Sequence, residues 1–109
     1  MELKALNIIK HEYKGYDDFY LLCEAFIGVE NDTYAYKVYD FNVISIKKLY
    51  NDFLDDGIML NRGWMIMKYY SEEEIREKVI SIIHNSTSHD EEETYANIDH
   101  YLRLQEADK

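Results

Sequence analysis

The sequence predicts an α+β fold, with an antiparallel sheet, one packed helix and a C-terminal helical hairpin forming a single α+β domain over residues 1–109. Three observations predict it. Of the 109 residues 47% are hydrophobic, and eleven tyrosines, four phenylalanines and a tryptophan supply enough apolar area for one core. The first forty residues carry a continuous apolar run and alternating stretches between turn signals, as strands do, and the second half carries helix caps followed by apolar residues at helical spacing.

Leu3 to Tyr13 fits two periods. Leu3, Leu6 and Ile9 suit a helical stripe, whereas Leu6-Asn7-Ile8 and Ile9-Lys10-His11-Glu12-Tyr13 alternate, and the strand is preferred. Lys14-Gly15-Tyr16-Asp17-Asp18 has turn chemistry. Phe19 to Val29 is the apolar run of a buried strand. Glu30-Asn31-Asp32 turns the chain into a returning strand, with Tyr34, Tyr36 and Val38 on one face and Ala35, Lys37 and Tyr39 on the other. Ser45 caps a helix with Ile46, Leu49, Tyr50, Phe53 and Leu54 at helical spacing, ended by Asp55-Asp56-Gly57. Ile58 to Leu60, the turn Asn61-Arg62-Gly63 and Trp64 to Tyr69 read as a second hairpin. Ser71-Glu72-Glu73-Glu74 is a capping box, and Ile75, Val79 and Ile82 line the helix behind it. Ser88-His89-Asp90-Glu91 repeats the box ahead of Tyr95, Ile98 and Leu102.

The formal charge is −10, and it is lopsided. Residues 1–50 hold eight acids and six bases, and residues 51–109 hold fourteen acids and six bases. Such a surface repels nucleic acid and anionic membranes and favours a basic protein partner. Acids in a first helical turn also offset the helix dipole, which accounts for the clusters after Ser71 and Ser88 without any partner. It does not account for Asp52, Asp55 and Asp56, expected at a helix C-terminus. The candidate partner contacts are therefore Asp52, Asp55, Asp56, Glu72, Glu73, Glu91 and Glu92, acting as mimics of a phosphate row. Most tyrosines are expected in the sheet core or half-buried on strands, with any exposed ones as anchors of the interface.

His84, His89 and His100 lie within seventeen residues. His89 and Glu93 one helical turn apart, joined by His84 and, across a dimer, by His100, form a candidate zinc set, structural rather than catalytic. The competing reading is solvated histidines, with His84 favoured at a helix end. His11 reads as an ordinary strand residue. Cys23, the single cysteine, reads as a core residue with a raised thiol pKa, and one cysteine excludes an internal disulfide and fits a reducing cytoplasm. No signal-peptide pattern or membrane-length apolar run is present. Phosphate-binding glycine loops, Gly-x-Ser-x-Gly and His-Glu-x-x-His are absent, so no enzymatic activity is expected.

In size, acidity and tyrosine content the whole chain resembles the type II anti-CRISPR proteins of phages. That resemblance implies a cytoplasmic inhibitor that binds a CRISPR effector nuclease and blocks DNA loading. Over Tyr70-Ser71-Glu72-Glu73-Glu74-Ile75, Val79, Ile82 and Glu91-Glu92-Glu93 the chain is also similar to the first two helices of colicin-DNase immunity proteins. Those proteins are all-helical, so the likeness reads as shared helix-hairpin chemistry. The leading expectation is a phage-type nuclease inhibitor. The alternatives are a metal-stabilised structural or oligomerisation module and an immunity protein for a nuclease toxin.

Overall fold

A computed structural model describes residues 1–53 and 62–105. Strands β1 (Glu2–Gly15), β2 (Asp18–Gly28) and β3 (Tyr36–Ser45) form an antiparallel meander. Two short strands share the far edge of β3. β4 (Trp64–Met67) runs parallel to it beside residues 42–45, and β5 (Arg103–Leu104) runs antiparallel beside Tyr39 and Asp40. Helices α1 (Ile46–Lys48), α2 (Glu72–Ser86) and α3 (Glu91–Ile98) complete the α+β fold.

Alternation on β2 fixes the layering. Phe19, Leu21, Cys23, Ala25 and Ile27 are buried, while Tyr20, Leu22, Glu24 and Phe26 on the opposite face are half-buried. The buried set meets Tyr39, Phe41 and Val43 of β3, then Ile75, Val79, Ile82 and Ile83 of α2, and Tyr95 and Ile98 of α3. Each buried Val, Leu, Ile or Phe of this set contributes about 1.5–3 kcal/mol on leaving water. The hydroxyl of the fully buried Tyr39 donates to the Tyr95 carbonyl oxygen at 2.8 Å, tying α3 to the central strand.

β1 is a strand with three irregularities. Its register against β2 slips between Leu3 and Ala5, Ile8 and Lys10, and Tyr13 and Gly15, so Lys4, Ile9 and Lys14 are extra residues. Each slip resets which side chains face the core, which is why two periods compete in the sequence. As an edge strand β1 gains from these bulges, because they break the template that another chain would pair with.

Four expectations are corrected. The helix after Ser45 is α-helical only to Lys48 and continues as a π-helical turn over Leu49–Phe53. Its expected end at Asp55-Asp56-Gly57, and the first strand of the second hairpin, lie outside the described residues. Trp64–Met67 is a strand, but it pairs with β3 and runs parallel to it. α3 starts later than the second capping box implies: Asp90 is the N-cap and accepts from the Glu92 amide at 3.1 Å. The helix also stops at Ile98, and Leu102 reaches the core from the turn that follows, so the chain continues past the helical hairpin into β5.

The C-terminal segment is locked to the sheet by Arg103. Its Nε donates to Asp40 Oδ1 at 2.6 Å, its Nη2 to Asn42 Oδ1 at 2.5 Å and its Nη1 to the Arg62 carbonyl at 2.8 Å. Gly63 sits at φ 82°, where a Cβ would come within 2.9 Å of Arg103 Nη1.

Candidate functional site

Ser71 accepts from the Glu74 amide at 3.2 Å, so the expected cap holds and aims Glu72, Glu73 and Glu74 into solvent at the head of α2. Glu91, Glu92 and Glu93 stand exposed in the first turn of α3. Because α2 spans fifteen residues and α3 follows its far end, the two acidic heads are roughly 20 Å apart at ~1.5 Å per residue. The fold therefore makes two separate anionic heads from Glu72, Glu73, Glu91 and Glu92. Among the described residues no ion pair engages Glu72, Glu73 or Glu91, while Glu92 faces Lys37 at 3.8 Å.

Asp52 has a local partner. Lys48 is almost fully buried, and its Nζ lies 2.8 Å from Asp52 and 3.4 Å from Glu12. The hydrogen bond from Lys48 holds the Asp52 carboxyl below the usual carboxylate range, and the same bond raises the Lys48 pKa. A carboxylate one helical turn beyond a buried ammonium needs no external partner to explain it. Asp55 and Asp56 lie outside the described residues.

The zinc set is not assembled. Among the described residues no three His, Cys, Asp or Glu side chains converge to hold a metal ion. His84 is exposed in the last turn of α2, His100 is exposed in the turn after α3, and His89 precedes the Asp90 cap. With His89 off the helix, its one-turn pairing with Glu93 is lost. Glu93 instead accepts from the Ser88 hydroxyl at 2.9 Å. His11 is an exposed strand residue.

Cys23 is buried, and its thiol is pushed up to about 12, first by burial and then by the charge of Glu72. It is a core residue, as its sequence context implied. No described helix is long and apolar enough to cross a membrane.

Most tyrosines are not in the core. Only Tyr39 and Tyr95 are buried, while Tyr13, Tyr16, Tyr34, Tyr36, Tyr50, Tyr69 and Tyr101 are exposed. Several converge at one corner, where the β1–β2 turn meets the segment leading into α2. The Tyr70 amide donates to the Tyr16 carbonyl at 2.6 Å. The Tyr70 ring packs edge-on against Tyr13 at 5.7 Å and Phe19 at 5.5 Å, and Tyr16 and Tyr69 lie 5.2 Å apart. Such preordered rings suit the centre of a protein interface, because little rotamer freedom is lost on docking. The sequence signal for this corner was Tyr69-Tyr70 directly before a capping box, together with Tyr13 and Tyr16 flanking the first turn.

A family model described as immunity protein 8 matches residues 1–105. Comparison with curated proteins and with solved structures gives no match. The chain belongs to the immunity protein 8 family. This overturns the anti-CRISPR reading, which rested on size, charge and composition, properties that any small acidic inhibitor shares. The expectation of a protein partner survives in coarse form, but a CRISPR effector is not that partner.

Proposed function

We propose that this protein is an immunity protein that neutralises a nuclease toxin by binding it, without catalysis of its own. The match of residues 1–105 to the immunity family carries the reading. The charge of −10 and the exposed carboxylates Glu72, Glu73, Glu91 and Glu92 support a basic partner, as a nucleic-acid groove is. The head of α2 is the main contact, because its acids adjoin the aromatic corner. The protein acts in the cytoplasm, where a nuclease would meet its substrate.

The test is survival of cells that express toxin nuclease domains, with and without this chain. Protection through a one-to-one complex supports the reading. Protection that persists with the chain far below the toxin in amount would show turnover and refute a binding mechanism. Protection confined to toxins of another chemistry would refute the nuclease assignment. Replacing Glu72 and Glu73 with lysine should slow association several-fold at low salt. Unchanged association would refute the electrostatic contact.

A further inference from the structure

A shallow cavity of about 440 Å³ opens at the aromatic corner, lined by Ile8, His11, Tyr13, Leu21 and Tyr70. Its position follows from register. Ile8, His11 and Tyr13 pair with Cys23, Leu21 and Phe19, so they share the helix-covered face of the sheet. Yet Ile8 is 37% and Tyr13 52% exposed, because α2 begins only at Glu72 and does not extend over them. Ile8 and Leu21 supply an aliphatic floor, the edge-on rings of Tyr13 and Tyr70 a wall, and the His11 imidazole completes the lining.

Glu72 stands at the first position of α2, two residues beyond Tyr70. Its charge acts on Tyr70, whose pKa is raised by burial and then by Glu72. Glu72 does not line the cavity; it is exposed at the head of α2, two positions along the chain from the lining residue Tyr70. Among the described residues no cation sits on Tyr13 or Tyr70, and none pairs with Glu72.

The molecule carries a filled counterpart at the head of α3. There Lys37 lies 4.7 Å from the centre of the Tyr95 ring and 3.8 Å from Glu92, so an aromatic face and a first-turn carboxylate hold one ammonium. The head of α2 repeats the aromatic ring and the first-turn carboxylate without a cation of its own. An aliphatic floor below an electron-rich face suits a side chain with an apolar stem and a cationic tip. A carboxylate two positions along the chain from a lining ring favours the planar, two-pronged guanidinium over an ammonium.

We propose that this cavity is an anchor pocket for an arginine side chain presented by the toxin, with Tyr13 and Tyr70 receiving the guanidinium and Glu72 pairing with it. The proposal rests on the reading above that the partner is a basic protein. It assigns that partner a specific contact instead of a diffuse attraction of charge.

The test titrates ring-labelled protein with blocked tripeptides carrying central arginine, lysine, citrulline or leucine, followed by tyrosine resonances in NMR. Saturable shifts of Tyr13 and Tyr70 with the arginine peptide are expected, with Tyr34, 92% exposed and outside the cavity lining, unmoved. Tyr13→Ala should abolish the response, and Glu72→Gln should weaken it by about threefold. Lysine, citrulline or leucine binding as tightly as arginine, equal movement of Tyr34, or no shift at all would each overturn the pocket. A second arm uses any toxin that the native chain neutralises. There Tyr13→Ala should weaken the complex at least ~10-fold. Full retention overturns the anchor and leaves the immunity reading intact. An arginine-specific response from a protein that protects against no toxin supports the pocket, while the immunity reading falls.

Discussion

Replacing Arg103 with methionine should detach β5 and loosen the turn at Gly63 together. The guanidinium makes three bonds at 2.5–2.8 Å, to a carboxylate, a side-chain amide and a backbone carbonyl. Its side chain is 27% exposed and that of Asp40 28%, so solvent screens the pair only in part. A hydrogen bond to a charged partner is worth about 1.5–3 kcal/mol and an ordinary one about 1 kcal/mol. Water replaces some of each, which leaves an expected loss of about 2–3 kcal/mol. With a urea slope of about 1–3 kcal/mol/M, the unfolding midpoint should fall by roughly 0.7–3 M. Far-ultraviolet circular dichroism during urea unfolding reads it directly. Adding Asp40→Asn to the methionine variant should restore part of the loss, because the stranded carboxylate is then neutral. Arg103→Lys should recover only the charge, since an ammonium cannot supply the fork. A midpoint unmoved by Arg103→Met, or strict additivity of the two substitutions, would refute the account of the C-terminal lock.

Gly28→Ala should destabilise by at least ~2 kcal/mol, because its Cβ would lie 1.8 Å from the Ala35 carbonyl oxygen, a backbone atom that cannot swing aside; thermal melts will read it. Cys23, with a thiol pushed up to about 12, should resist alkylation at pH 8 in the folded protein and react fully in denaturant, as mass spectrometry can show. Asp52 has a folded pKa below its unfolded value, so its contribution is present above the unfolded value and lost as pH falls through the folded one. Asp52→Asn should therefore lower stability at neutral pH and flatten the decline below about pH 4, in urea titrations across that range.

Where one local rule governs, residues announced their own structure. The Ser71 cap and the Gly15–Asp18 turn behave as their side chains dictate, whereas the apolar run from Phe19 buries alternate residues to Ile27 and leaves those between half-buried. Local rules mislead where they compete. Ser88 and Asp90 both have capping chemistry, and Asp90 prevails while the Thr94 hydroxyl accepts from the Ser88 amide at 2.9 Å. The period of β1 was blurred by bulges that arise only in pairing with β2.

Composition, caps and alternation by themselves determined the α+β class, the acidity and the order of most elements, because each depends on neighbours within a turn or a pleat. They also made Glu72 and Glu73 exposed, since a helix head leaves its first turn to solvent. Tertiary structure alone decided that Asp52 answers a buried lysine and that Tyr13 meets Tyr70. Tyr13 and Tyr70 are fifty-seven positions apart in the chain, and Tyr39 and Tyr95 fifty-six. Contacts at such range are set by strand register and by where a helix starts over the sheet, and neither is written in any short stretch of side chains.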